Sequence, residues 1–283
     1  MAKTLISFGH GYSASALAKL LIPLGWTVYG TTRSADRAES LARTGVIPVL
    51  WEQDNMDSVF AQASHLLIAA GPDAEGDPTL RLYRDQITTL APQLEWAGYL
   101  STTGVYGDHQ GGWVDENTPL TPSTRRGQWR VAAESEWRSI PNLPLHIFRL
   151  AGIYGPGRGP FAKVRNGTAR RIIKENQVFS RIHVDDIAQI LLASITRPNP
   201  GAVYNVCDDL AAPPEDVIAH AADLLGLPIP LAEPFESADM TPMARSFYAE
   251  SKRVRNDRIK QDLGVTLKYP DYRAGLAALL GAE

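Results

Sequence analysis

The sequence predicts an α/β protein, a doubly wound Rossmann-type parallel sheet with a smaller C-terminal lobe. Three observations carry that expectation. Short apolar runs alternate with helix-patterned segments as far as Leu150, the texture of buried parallel strands covered by helices on both faces. A glycine-rich turn, Gly9-His10-Gly11-Tyr12-Ser13-Ala14, stands between the first apolar run and the first helical pattern. Beyond Leu150 the chain becomes turn-rich and polar, as a second, discontinuous lobe would.

Taken in order, Thr4 to Phe8 is the first strand, and Ala14, Ala16, Leu17, Leu20 and Leu21 give the next segment a helical apolar face. Thr27 to Thr31, Val46 to Leu50, His65 to Ala69, Gly98 to Thr102 and Leu145 to Leu150 each read as a buried strand. The segment Gly152 to Phe161 reads as turns. In the stretch from Arg181, Asp185 or Asp186 is the expected N-cap of a helix whose apolar face holds Ile187, Ile190, Leu191 and Ile195. Ala202 to Val206 is a further strand, and Pro213 to Pro234 is helical in its alanine- and leucine-rich middle. Pro242 marks another break. These boundaries predict a dinucleotide-binding domain over residues 1–155, completed by about 179–207, with residues 156–178 and 208–283 forming the discontinuous lobe.

The glycine turn carries the first chemical inference. In Gly9-x-Gly11-x-x-Ala14 the first glycine allows a tight turn and the second lets backbone approach a pyrophosphate. The third position needs only a small residue where helix meets strand. Unpaired N–H groups and the positive dipole end of the helix then face the phosphates. This is the fingerprint of a Rossmann-type nucleotide site. About 20 residues beyond the glycines, NAD sites usually place an acid on the ribose 2′-hydroxyl. Here the second strand runs into Thr32-Arg33-Ser34 with no acid before Asp36. Arg33, with Arg37, suits a 2′-phosphate instead, so NADP is expected ahead of NAD.

Composition excludes several classes. A net charge of −3 over 283 residues gives no basis for nucleic acid or anionic membrane partners. One cysteine, Cys207, excludes an internal disulfide and reads as a core residue at a strand end. No stretch reaches the roughly 20 apolar residues that cross a bilayer, and the N-terminus reads as a strand rather than a leader, so a cytoplasmic location is expected. The six histidines show no metal-ligand spacing on one helix. There is neither a Gly-x-Ser-x-Gly elbow nor a Walker loop. The basic run Lys163, Arg165, Arg170, Arg171 and Lys174 reads first as a solvated helical face, and second as a clamp for an acidic substrate.

Ser101-Thr102-Thr103-Gly104-Val105-Tyr106-Gly107, Arg149 to Arg158 and Arg181-Ile182-His183-Val184-Asp185-Asp186, together with the glycine turn, resemble the extended short-chain dehydrogenase/reductase family of NAD-dependent epimerases and dehydratases. Tyr204-Asn205-Val206 and the stretch from Ser251 to Gly264 resemble its C-terminal segments, in an atypical branch. The resemblance implies that Thr102 is the serine or threonine that hydrogen-bonds the reacting oxygen. It implies that the backbone of Ala69, Ala70 and Gly71 lines the ribose side of the cofactor. A homodimer is the family's habit.

The resemblance also exposes a departure. On the helix that should carry the family's Tyr-x-x-x-Lys, Arg126 falls at the tyrosine and Arg130 at the lysine. Arginine stays protonated to above about pH 12 and cannot exchange a proton at neutral pH. Arg130 can still hold a ribose and Arg126 an anionic substrate, but the usual proton relay is expected to be missing. Tyr106, Tyr154, Asp108, His109 and Glu116 are possible substitutes, for each of which a structural role is the first expectation. Two functions follow. One is an NAD(P)-dependent oxidoreductase or epimerase-like enzyme acting on a small, anionic or phosphorylated substrate. The other is a catalytically inactive NADP-binding sensor or scaffold.

Overall fold

A computed structural model describes residues 3–51 and 53–282. In chain order it forms β1 (Thr4–Phe8), α1 (Tyr12–Leu21), β2 (Thr27–Thr32), α2 (Ala35–Ala42), β3 (Ile47–Leu50), α3 (Asp57–Phe60), β4 (His65–Ile68), α4 (Pro78–Leu90) and β5 (Trp96–Thr102). Then come β6 (Trp113–Val114), α5 (Arg125–Arg138), β7 (Leu145–Leu150), β8 (Gly152–Tyr154), α6 (Phe161–Arg165), β9 (Arg171–Ile173), β10 (Arg181–His183), α7 (Val184–Thr196) and β11 (Val203–Val206). The last elements are α8 (Pro214–Leu224), β12 (Ala232–Pro234), α9 (Pro242–Phe247), β13 (Arg253–Val254), α10 (Asp257–Gln261) and α11 (Tyr272–Gly281).

Among the described residues, seven strands make one sheet in the order β11-β7-β5-β4-β1-β2-β3, with every neighbouring pair parallel. The order reverses between β1 and β4, which opens a crevice at the strands' carboxyl ends. The fold is the Rossmann-type α/β class expected. Alternation along the strands sorts the core into two layers. Leu5, Val28, Leu67 and Phe148 pack with Leu17 of α1 and Ile187 and Leu191 of α7. Ile6, Phe8, Leu66 and Ile68 face the other way, toward Ile87 of α4 and Trp137 of α5. Burying each such side chain is worth about 1.5–3 kcal/mol. A third cluster, including Tyr154, Phe161, Val217, Tyr272 and Leu276, unites α6, α8 and α11 beyond the sheet's edge.

Three two-stranded parallel pairs, β8 with β10, β9 with β12 and β6 with β13, knit the later segments together. Cys207 is buried just after β11, as expected, and its Sγ–H donates to Val254 O. Among the described residues no helix is long and apolar enough to cross a membrane.

Some local expectations are corrected. The N-cap of α7 is His183, whose ring Nδ1 accepts from Asp185 N–H, and not Asp185 or Asp186. Asp186 is engaged elsewhere, accepting the N–H groups of Lys268 and Tyr269 at 2.7 and 3.0 Å. The basic run is no single helical face, because α6 stops at Arg165 and Arg171–Ile173 is a strand. Two of its cations are held within the fold: Arg170 pairs with Glu233, and Lys174 donates to Tyr248 O. Within the segment read as turns, Gly152–Tyr154 is a strand because β10 pairs with it.

Candidate active-site cleft

The sheet's crevice is a cleft of about 950 Å³ whose walls come from the glycine turn, the ends of β5 and β7, α5 and the segments around residues 178–181 and 246–254. Gly9 sits at φ +70° with its α-carbon against Ala70; a Cβ there would lie 2.8 Å from Ala70 backbone atoms. Only glycine fits that turn. Gly11 is the N-cap of α1, whose first turn has no side-chain cap and no acid. Its first N–H groups therefore remain available to an anion.

Gly9, Gly11, Tyr12, Ser13 and Ala69 line this part of the cleft. His10 does not: its ring is buried over Gly30, where a Cβ would meet it at 2.8 Å. Burial, then the charge of Arg37, lowers its pKa to about 4. What His10 offers the turn is backbone, its N–H donating to Thr31 O and its carbonyl accepting from Arg37 Nη2 at 3.2 Å. Arg33 is exposed after β2, one residue before Ser34, which caps α2 by accepting Arg37 N–H. Ala70 and Gly71 are not among the lining residues, though Ala69 and Pro72 on either side of them are, and Gly71 is exposed. A Cβ on Gly71 would come 3.1 Å from Arg130 Nη2.

Thr102, Arg126 and Arg130 do meet in the cleft. Thr102 ends β5 and its Oγ1 accepts Gly104 N–H at 3.1 Å. Arg126 is exposed in the first turn of α5. Arg130, one turn on, donates to Leu100 O at 2.5 Å and to Tyr99 OH at 3.2 Å, with its guanidinium over the Tyr99 ring. The deeper face of α5 carries Glu134 into a buried ion pair with Arg149 of β7, Nη2 to Oε2 at 2.8 Å, the side chains 3% and 4% exposed. Ser101 donates to the same carboxylate at 2.6 Å. Arg149 Nη1 donates to Tyr106 OH, which in turn donates to Asn205 Oδ1 at 2.7 Å.

That network places Tyr106. Burial pushes its phenol up to about 12, and it braces the cleft floor. Tyr154 lines the cleft but is buried, donates to Asp271 O and is likewise shifted upward by burial. Glu116 accepts Asn205 N–H, Asp108 accepts Ser251 N–H, and the His109 ring meets Tyr106 O. None of these three lines the cleft.

The structure adds contacts of Tyr12 that the sequence did not show, and residues that sequence reading did not assign to the site. Tyr12 OH donates to Pro156 O, and Arg158 lies over the Tyr12 ring, which ties the glycine turn to the loop after β8. Arg181 enters from β10 with Nη1 on the carbonyls of Phe179 and Ala212. Trp129, Phe179 and Phe247 supply apolar wall, and Glu250 and Lys252 form an ion pair at 2.7 Å. The spacing Tyr-x-x-x-Lys does occur once in the chain, at Tyr248 and Lys252. The expectation that this pair is missing therefore applies to α5 and not to the whole chain. The two residues share no helix face, since α9 ends at Phe247 and the Tyr248 ring packs on Phe179 and Phe235. Among the described residues no cluster of His, Cys, Asp and Glu is arranged to hold a metal.

Comparisons with known proteins agree with this fold. A family model described as the NAD dependent epimerase/dehydratase family matches residues 5–207. The chain is 29% identical over 281 residues to Protein YeeZ of Escherichia coli (strain K12), covering 95% of this chain and 97% of that one. A functionally unknown conserved protein from Silicibacter pomeroyi DSS shares 60% identity and superposes with a TM-score of 0.95 over 99% of both chains. The human epimerase family protein SDR39U1 (isoform 2), solved with NADPH, shares the fold at 18% identity and a TM-score of 0.71, over 98% of this chain and 99% of that one.

Proposed function

The chain belongs to the NAD dependent epimerase/dehydratase family, and we propose that it is an NADP-binding oxidoreductase or epimerase-like enzyme acting on a small anionic substrate. The observation that carries this reading is that the uncapped start of α1 opens into the same cleft as Thr102 and four arginines, 126, 130, 158 and 181. In it, the backbone of Gly9, Gly11, Tyr12 and Ser13 holds the pyrophosphate, and the backbone at Ala69, Ala70 and Gly71 runs along a ribose. Arg33 and Arg37 take the 2′-phosphate, Arg37 being already drawn to the turn through His10 O. Arg130 holds the second ribose.

When bound, the cofactor gives or takes hydride. The chain orients the reacting carbonyl through Thr102 and neutralises the substrate's charge through Arg126 and Arg181, in a cleft walled by Phe179 and Phe247. The segments 156–178 and 208–283 serve as the substrate lobe in this reading. A second reading, an NADP-binding sensor or scaffold without turnover, draws support from the two arginines on α5, which cannot exchange protons.

Titrating NADPH and NADH by nicotinamide fluorescence, and then following NADPH oxidation across small oxo acids, phosphorylated ketones and nucleotide sugars, separates the two readings. NADPH is expected to bind at least tenfold more tightly than NADH, a difference of about 1.4 kcal/mol, and Arg33→Ala to erase most of that difference. Equal affinities, unchanged by Arg33→Ala, would overturn the NADP assignment. Tight NADPH binding without any turnover would favour the sensor.

A further inference from the structure

We propose that Glu250 and Lys252 are the proton-exchanging pair of this cleft, in place of a proton donor that α5 does not bring into it. The inference rests on the enzyme reading above and goes beyond it to the residues that move the proton.

Chemistry narrows the choice. Of the ionisable side chains that line the cleft among the described residues, four are arginines, which keep their protons at any working pH. Tyr12 and Tyr154 are both shifted upward by burial, and their hydroxyls already donate to Pro156 O and Asp271 O. Glu250 is the one carboxylate and Lys252 the one amine in the lining.

Geometry then joins them. Lys252 Nζ donates to Glu250 Oε2 and to Gly107 O, each at 2.7 Å. A third hydrogen remains for a substrate oxygen. Glu250 Oε1 accepts from Ser123 Oγ at 2.6 Å. Ser123 is exposed and immediately precedes Thr124, the N-cap of α5, so the pair is tied to the turn that bears Arg126. The result is a hydrogen-bonded path from solvent through Ser123 and Glu250 to Lys252 in the cleft. The side chains of the pair are only 10% and 11% exposed, and their segment is pinned. Gln177 Nε2 donates to Glu250 O, and Ser251 bonds Asp108, Asn176 O and Val178 N–H. The other charges nearby are Asp108, which lies in the field of both Lys174 and Lys252, and Lys174, whose Nζ is held on Tyr248 O.

In the reducing direction, a reduced nicotinamide held by the glycine turn and Arg130 would supply hydride to the carbonyl carbon, leaving the C=O electron pair on oxygen. That oxygen takes a proton from Lys252 Nζ. The neutral amine regains one from solvent by way of Glu250 and Ser123, so one hydride and one solvent proton are consumed per alcohol formed. Oxidation runs the same path backwards.

The test compares the whole chain with Lys252→Arg, which keeps the cation and its hydrogen bonds but cannot release a proton, and with the isosteric Glu250→Gln. Both variants are expected to melt within about 3 °C of the parent and to bind NADPH within about twofold. Turnover of any carbonyl the parent reduces should fall about 100-fold or more in Lys252→Arg. Glu250→Gln should lose about tenfold and one limb of the kcat–pH profile. Turnover of Lys252→Arg within about threefold of the parent, with an unchanged pH profile, would make the pair a structural tie while leaving the enzyme reading intact. A parent that binds NADPH yet reduces nothing in the panel would overturn the enzyme reading and, with it, the pair's role. Should Lys252→Arg fail to fold, Glu250→Gln decides by the same two criteria.

Discussion

On one side of the cleft, Gly9, Gly11, Tyr12 and Ser13 come from a single tight turn, and what they offer a ligand is mostly backbone. On the other, Phe179, Arg181, Glu250 and Lys252 arrive from separate segments, and what they offer is side chains. The first half is shaped by sterics at one glycine and by the free end of a helix. The second depends on β6 pairing with β13, on β8 pairing with β10 and on a buried hydrogen-bonded floor. Local geometry thus makes the general part of the site, and tertiary pairing the specific part.

Four substitutions probe that contrast. The strongest strikes the floor shared by both halves: Glu134→Ala strands the buried Arg149 guanidinium and should cost about 3–5 kcal/mol. Thermal unfolding should then show Tm falling by roughly 10 °C. Next, Gly9→Val forces a branched side chain into φ +70° and against Ala70. NADPH affinity measured by fluorescence should drop about 100-fold, or ~2.7 kcal/mol. If the halves are built independently, the 178–181 and 246–254 segments keep their hydrogen-exchange protection.

The third concerns pH and belongs to the second half. Burial raises the Asp208 carboxyl to about 8, outweighing its bond from Leu210 N–H and the pull of Arg181. Its folded pKa lies above its unfolded one. The native state therefore holds this proton more tightly, and the stabilisation is full below about pH 4 and is lost as pH rises through about 8. Asp208→Asn should flatten that loss, raising stability at pH 9 relative to the parent by about 1–3 kcal/mol. Equal Tm–pH slopes for the two proteins would refute this. The smallest effect is expected at the half-exposed Arg170–Glu233 pair. Arg170→Ala should move Tm by no more than about 2 °C, and a larger drop would mean that the lobe depends on that contact more than its exposure implies.

Particular residues show how far the site was legible in the sequence. The glycine turn, Thr102, Arg126 and Arg130 fall in the cleft because each lies at a strand's carboxyl end or on the helix beside it, where local pattern and fold class suffice. Arg181 and Lys252 were written in the sequence too, before Ile182-His183 and after Ser251. Nothing local marked them as lining a cavity, because only the strand pairings carry those segments there. The N-cap of α7 misled because aspartate is the commoner cap, whereas here Asp186 is claimed by backbone from residues 268 and 269. His10 misled in the opposite way, since its place between two glycines marks the turn but its ring turns inward over Gly30.

By itself, then, the sequence determined the parallel sheet, the glycine turn after β1, the end of β2 that carries arginine rather than an acid, and the arginines at positions 126 and 130 of α5. All of these depend on short-range rules, namely strand and helix periodicity, glycine sterics and the chemistry of one side chain at one position. Tertiary structure alone decided which distant side chains share the cleft. It set Glu250 against Ser123 and Lys252 against Gly107. Such contacts join residues more than a hundred positions apart, where no local periodicity reaches and only packing and strand pairing bring the atoms within hydrogen-bond distance.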